Sequence, residues 1–240
     1  MRMRKKKNGA ARLAASSEFL FECPSEPMSD PASFLGMKGA PVYLEIGAGK
    51  GGFTCQMAKI HKDAACFAME KVSDCVVLAC EKAKEMSEDG RDNVRFIIDV
   101  ADNLSKIFEY GTVDRIFLNF SDPWPKKGYA KRRLTHRRYL ALYFNLLREG
   151  GKITFKTDND ALFDFSLEEF SAIGVPLDKM TRDLHQSEYN ASNVMTEYEK
   201  KFSDAGKSIN MLEATKPNDF KVEVPEDLKR YYDNTVFLKK

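Results

Sequence analysis

Short apolar runs alternate along this chain with longer amphipathic stretches. Residues 42–46, VYLEI, form an apolar and β-branched run that predicts a strand, and they flow through GAGKGG into a helical stretch at 53–60. Runs at 64–69, 94–98, 113–120 and 152–156 predict further strands. Between them, residues 72–86 place Val76, Val77, Ala79, Cys80 and Ala83 on the apolar side of a helix. Residues 136–147 predict a helix stopped by Gly150-Gly151, and 162–173 a helix ending at Gly174. Strands that alternate with helices predict an α/β fold, a largely parallel sheet with helices on both faces.

Past Val175 the alternation stops. Residues 175–184 read as a sixth strand, 187–194 as a polar loop, and 208–214 as a strand that returns antiparallel. Thr196, Glu197, Tyr198 and Glu199 match a capping box, in which the threonine oxygen and the last glutamate cap each other's amides. A helix is expected from there to about Ala205, with Gly206 as its stop. Residues 1–39 read as a basic arm and linker, partly helical over 10–21. Residues 40–215 read as the folded domain, and 216–240 as a charged extension to which the sequence assigns no chemistry.

The predicted strands run into acids. Glu45 lies within the first, Glu70 ends the second, and Asp99, Asp122 and Asp158 follow the next three. Parallel strands bring these carboxylates to one sheet edge, where they repel one another unless a cation or several N–H donors occupy the crevice. The edge therefore calls for a cationic or donor-rich ligand. Gly47, Gly49 and Gly52 satisfy G-x-G-x-x-G between a strand and a helix, which lets a ligand approach the backbone. A carboxylate about 20 residues past such a loop, as Glu70 is, accepts both ribose hydroxyls of a nucleoside and disfavours a ribose phosphate. A surface ion pair with Lys71 is the plainer alternative for Glu70.

The most concentrated chemistry lies at 120–133, FSDPWPKKGYAKRR. Pro123 and Pro125 lock φ and lack an N–H on either side of Trp124, so the segment must be a stiff loop at a strand's carboxyl end. Trp124 reads as a packing anchor for that loop rather than a stacking platform. Lys126, Lys127, Lys131, Arg132, Arg133, Arg137 and Arg138 follow, with no acid between Asp122 and Glu149. The net charge is only +2, yet this ramp and the cluster Arg2, Arg4, Lys5, Lys6, Lys7 and Arg12 form basic patches suited to a polyanion. Five cysteines without paired spacing and three scattered histidines give no metal site and read as reduced thiols of a cytoplasmic protein. No apolar stretch approaches the roughly 18 residues of a membrane span.

Together these residues resemble the bacterial tRNA (guanine-N7-)-methyltransferases over roughly residues 42–215. The matching blocks are EIGAGKGGF at 45–53, NVRFIIDVAD from Asn93, DRIFLNFSDPWPKKGYAKRRL from Asp114, FKTDN at 155–159 and TEYEKKFSDAGKSI from Thr196. Ser121 stands where the family commonly has proline, Gly128-Tyr129 where it has Arg-His, and Val100 where alanine is usual. The resemblance implies a Rossmann-like class I S-adenosylmethionine-dependent methyltransferase fold, with a mostly parallel seven-stranded sheet and an antiparallel last strand. It implies methyl transfer from S-adenosylmethionine to N7 of a guanosine in tRNA, the variable-loop guanosine at tRNA position 46. Carried over residue by residue, Glu45, Glu70 and Asp99 match cofactor-binding positions beside Gly47 and Gly49. Asp122 matches the catalytic acid next to the cofactor. Lys126, Asp158, Thr196, Glu197, Tyr198 and Glu199 match substrate-binding positions, and Lys131, Arg132 and Arg133 are expected on the RNA backbone. The protein is expected to act as a monomer or homodimer, without a membrane or an obligatory protein partner.

The chemistry agrees with that implication. S-adenosylmethionine carries a sulfonium and an ammonium, which suit an acidic edge, with Glu70 on the ribose, Asp99 near the adenine and Glu45 on the methionine side. Guanine N7 has a free lone pair, so no base must strip a proton before it attacks. Positioning and electrostatics should then dominate, with Asp122 or Asp158 accepting from guanine N1–H and N2–H. A nicotinamide dehydrogenase would share the glycine loop and Glu70 but leaves DPWPK and the ramp unexplained. An adenine amino-methyltransferase uses a related acid–Pro–Pro–aromatic loop, whose second proline is missing here. A non-enzymatic RNA-binding subunit would not need the intact set of acids.

Overall fold

The computed structural model describes residues 7–87 and 93–220. Its strands are β1 (Leu20–Phe21), β2 (Val42–Ile46), β3 (Ala65–Glu70), β4 (Val94–Ile98), β5 (Val113–Asn119), β6 (Leu147–Thr157), β7 (Lys179–Thr181) and β8 (Asn210–Thr215). Its α-helices are α1 (Gly9–Ala14), α2 (Gly52–Ile60), α3 (Ser73–Met86), α4 (Arg137–Leu146), α5 (Asp160–Ala172) and α6 (Glu197–Asp204). The strands form one sheet in the order β1-β4-β3-β2-β5-β6-β8-β7. Strands β1 to β6 pair in parallel, and β8 runs antiparallel to both β6 and β7.

The apolar runs are continuous because both sheet faces are covered. In β3, Ala65, Phe67 and Met69 share a core cluster with Leu140 and Phe144 of α4 and Phe163 of α5. The alternate residues Cys66 and Ala68 join Met57 of α2 and Val76 and Cys80 of α3. Each fully buried side chain of this size contributes roughly 1.5–3 kcal/mol relative to exposure.

Three expectations are corrected. The sheet has an eighth strand, because Leu20 and Phe21, within the stretch read as arm and linker, pair with Phe96 and Ile97. The same stretch is tied to α3 by Arg12, which donates to Glu81 at 2.6 Å. Residues 1–6, with Arg2, Arg4, Lys5 and Lys6, lie outside the described residues, as does the extension beyond 220. The strand expected at 175–184 shrinks to β7, since Pro176 lacks a donor and Leu184 already opens a short 3-10 turn. Strand β6 starts earlier than expected, directly after α4. It runs through Gly150 at φ 71° and Gly151, where a Cβ would come within 2.8 Å of the Arg148 carbonyl oxygen.

Candidate active site

Strand order reverses between β2 and β5, and open α/β sheets bind ligands at the carboxyl ends beside such a reversal. A cavity of about 480 Å³ lies there, lined by Glu45, Gly47, Gly49, Phe53, Asn119 and Tyr198 among others. That volume is within the range of small-molecule sites. The glycine turn is pinned to the end of β3, with Gly47 N and Ala48 N donating to the Met69 carbonyl at 2.8 and 3.1 Å. Gly51, which lies inside the motif but is not one of its glycines, is the most constrained. Its φ is 71°, and a Cβ would meet Ala79 Cβ at 2.6 Å and the Phe96 ring at 2.7 Å. This close approach seats the start of α2 against α3 and β4.

Glu45 is 4% exposed. Asn119 Nδ2 donates to one carboxylate oxygen at 2.9 Å, and the Thr54 hydroxyl donates to the other. Burial pushes the Glu45 pKa up to about 7, with these two hydrogen bonds opposing. Asn119 Oδ1 is buried without a hydrogen-bond partner. Such orphans are rare in folded proteins, and here the orphan belongs to a residue of the cavity wall beside a buried acid. The free Asn119 Oδ1 and the remaining lone pairs of the Glu45 carboxylate are acceptor positions that fit an ammonium group. The sequence reading missed Asn119 and Thr54, although an amide inside the apolar run 113–120 was a usable signal. It also missed Lys50 and Lys201, which line the same cavity.

The other strand-end acids are partly answered by N–H donors, which relieves the repulsion expected between them. Glu70 accepts from Gly49 N at 3.0 Å and from Val72 N at 2.9 Å, one on each oxygen. Each oxygen keeps a second lone pair for a ligand hydroxyl. Asp99 Oδ1 accepts from Val100 N and Asn103 Nδ2, both at 2.7 Å, whereas Oδ2 has a thiol contact, Cys23 Sγ at 3.8 Å. Lys71 Nζ stands 3.7 Å from Asp122 Oδ2.

Asp122 is exposed on the loop after β5. Phe120 and Trp124, on either side of it, have φ of 51° and 41°. Left-handed backbone at bulky residues is strained, and such strain concentrates at functional sites. The Phe120 ring packs on Tyr198 with centroids 5.0 Å apart, and Tyr198 stacks on Phe202 at 4.4 Å. The Tyr198 hydroxyl has a raised pKa, from burial first and then from the negative charges of Asp158 and Asp122. Tyr198 thus joins the cavity to the loop after β5.

The capping box at the start of α6 forms as expected, with Glu199 N donating to Thr196 Oγ1 at 2.8 Å and Thr196 N to Glu199 Oε2 at 3.3 Å. Thr196 and Glu197 line the cavity, and Glu197 also pairs with Lys82 of α3. Glu199 is not among the residues that line the cavity. Its carboxylate is 0% exposed and accepts from Lys156 Nζ at 2.6 Å and Asn193 Nδ2 at 2.7 Å, with His185 Nε2 2.9 Å away. Its work is to fix α6 and β6 together.

The basic ramp is divided. Lys126, Lys127 and Arg132 are exposed. Arg132 covers the Trp124 and Tyr129 rings at 5.1 and 4.7 Å, and Lys71 lies 5.7 Å from the Trp124 ring. Arg137 pairs with Glu169 and Arg138 with Asp102. Arg133 is half-buried, and its Nε and Nη2 donate to the loop carbonyls of Pro123 and Trp124. Among the described residues no His, Cys, Asp and Glu are grouped as metal ligands, and no helix is long and apolar enough to cross a membrane.

A family profile described as "Putative methyltransferase" matches residues 39–212. The chain is 42% identical over 217 residues to the tRNA (guanine-N(7)-)-methyltransferase of Geobacillus kaustophilus (strain HTA426), covering 90% of this chain and 98% of that one. It is 39% identical over 214 residues to the protein of the same name from Bacillus cytotoxicus (strain DSM 22905 / CIP 110041 / 391-98 / NVH 391-98), covering 89% and 96%. Among solved structures, the 16S rRNA methyltransferase KamB superposes with a TM-score of 0.56 at 11% identity, over 78% of this chain and 93% of that one. An antibiotic-related methyltransferase superposes at 0.54 with 17% identity, over 76% and 90%. The structural matches bear on the fold, and the identities over nearly full length bear on the family. On these grounds the chain belongs to the tRNA (guanine-N7-)-methyltransferase family.

Proposed function

We propose that this chain transfers the methyl group of S-adenosylmethionine to N7 of a guanosine in tRNA, the variable-loop guanosine at tRNA position 46. The observation that carries the reading is the unpartnered Asn119 Oδ1 beside buried Glu45, in a cavity whose wall includes Tyr198. After burial, the negative charges of Asp158 and Asp122 help to raise the Tyr198 hydroxyl pKa. One side of the site asks for a cationic ligand, and the other presents acceptors and an aromatic ring to a base.

When bound, S-adenosylmethionine supplies an electrophilic methyl group on its sulfonium. Glu45 and Asn119 would hold its ammonium, Glu70 its ribose hydroxyls, and Asp99 Oδ2 its adenine end. Gly47 and Gly49 keep side chains out of that space. Asp122 or Asp158 accepts from the guanine N1–H and N2–H edge, and the charge of the same acid offsets the positive charge that grows on the purine as N7 attacks. No side chain need act as a base, because N7 carries no proton. Exposed Lys126 and Arg132 take phosphates and set the position of the RNA. The protein works in the cytoplasm, as a monomer or homodimer, with no obligatory protein partner.

The test is to incubate the purified chain with methyl-labelled S-adenosylmethionine and bulk tRNA, then locate the label. Label in 7-methylguanosine of the variable loop supports the reading. Label on an adenine, or tRNA binding without label, refutes it.

A further inference from the structure

Arg133 reads from the sequence as one more phosphate ligand of the basic ramp, but two of its guanidinium nitrogens already hold loop carbonyls. Nε donates to the Pro123 carbonyl at 3.0 Å and Nη2 to the Trp124 carbonyl at 3.1 Å. Its guanidinium carbon lies 4.3 Å from the centre of the Phe165 ring of α5. Its own backbone is fixed as well, with Arg133 N donating to the Ala130 carbonyl and His136 N to the Arg133 carbonyl, both at 3.0 Å. The two carbonyls it holds lie immediately after Asp122, in the segment bracketed by left-handed Phe120 and Trp124. Pro123 and Pro125 have no N–H, so the segment supplies few donors of its own to hold such a backbone. A forked guanidinium meets two neighbouring carbonyls in a way that an ammonium cannot.

We propose that Arg133 is a positioning residue for methyl transfer, clamping the 120–125 loop onto α5 so that Asp122 is presented in one fixed geometry. The proposal rests on the reading that Asp122 acts at the reacting centre. Loss of the clamp lets the loop relax from its strained form and moves the carboxylate away from the base. Misplacement of a reacting group by an ångström costs up to about 100-fold in rate.

The test compares Arg133→Lys and Arg133→Ala with the unaltered enzyme, measuring kcat, KM for tRNA, S-adenosylmethionine affinity and the salt dependence of tRNA binding. Arg133→Lys keeps the charge and loses the fork. A clamp predicts that both variants lose ~10- to 100-fold in kcat, with KM for tRNA, cofactor affinity and salt slope unchanged. A phosphate ligand predicts the opposite: Arg133→Lys close to normal, and Arg133→Ala with a raised KM and a salt slope smaller by about 1. That outcome overturns the proposal, as does a lowered melting temperature with kcat unchanged. Phe165→Leu, which removes the ring beneath the guanidinium and leaves its charge, gives a second reading and is expected to lower kcat in the same way. Unchanged kcat in Phe165→Leu and Arg133→Lys together overturns the proposal even if Arg133→Ala fails to fold. The double variant Asp122→Asn/Arg133→Lys separates the two readings. If Asp122 acts at the reacting centre, it is hardly slower than Asp122→Asn alone. If Asp122→Asn alone is fully active, the role of Asp122 fails, whatever Arg133→Lys does by itself.

Discussion

Glu45→Gln should stabilise the ligand-free protein, and more so as pH rises. The Glu45 pKa is displaced from 4.5 to about 7, chiefly because burial penalises its charge. At 1.36 kcal/mol per pH unit, that gap is worth ~3 kcal/mol. Below pH 4.5 both native and unfolded states hold the proton, and there is no penalty. Between 4.5 and about 7 the unfolded chain releases it while the native state keeps it. The unfolded state then binds fewer protons, so native stability falls across this window and stays lower above it. Glutamine removes the titration and keeps the shape. Its oxygen can accept from Asn119 Nδ2, and its amide can donate to the Thr54 hydroxyl, which rotates to accept. For a chain of this size each kcal/mol moves the melting temperature by about 2–4 °C. About 2.5 kcal/mol of this penalty falls between pH 5 and pH 8, so the gap in melting temperature between variant and wild type should widen by about 5–10 °C over that range, measured without ligand. A gap that stays constant across that range would show that Glu45 is not an isolated buried acid, and the cation-binding argument would lose its basis.

The same carboxylate links cofactor binding to protons. An ammonium beside Glu45 favours its charged form, so S-adenosylmethionine should displace up to about one proton at pH 6 and almost none at pH 8. Calorimetry in two buffers of different ionisation enthalpy measures this, and buffer-independent heats at pH 6 would count against it. Lys156→Met leaves Glu199 buried without its cation and should cost about 3–5 kcal/mol in urea unfolding at pH 7; a loss under about 1 kcal/mol would mean that His185 and Asn193 suffice. Gly51→Ala combines a left-handed backbone with a Cβ forced onto Ala79 and Phe96. It should destabilise by roughly 2–5 kcal/mol, and a near-neutral melting temperature would mean that α2 shifts freely.

The parts of the fold legible in the sequence were those in which a strand is buried on both faces and ends at a turn residue. Runs at β2 to β5 gave the strands and placed Glu45, Glu70, Asp99 and Asp122 at consecutive strand ends. The capping box at Thr196 was legible because its two hydrogen bonds are local. Strand β1 was not, since two residues in a proline-punctuated stretch carry no periodicity, and only the partner strand β4 defines them. The structural partners of Glu199 and Arg133 were not legible for a common reason. The letters of a motif give charge but not the partners that consume it, and those partners are contributed by other elements: Lys156 from β6, His185 from the segment before α6, Phe165 from α5, and the Pro123 and Trp124 carbonyls from the loop. Asn119 was passed over because it lies in an apolar strand, and its importance comes from Glu45 on the neighbouring strand.

The central claim is that an acidic rim holds the cofactor while Asp122 governs the transfer. Single-turnover methylation by Asp122→Asn, measured together with its affinity for S-adenosylmethionine, tests it most directly. The account predicts cofactor affinity within about threefold of the unaltered enzyme and a transfer rate lower by ~100-fold or more. A near-normal rate, or a rate loss matched by an equal loss of cofactor binding, would contradict it.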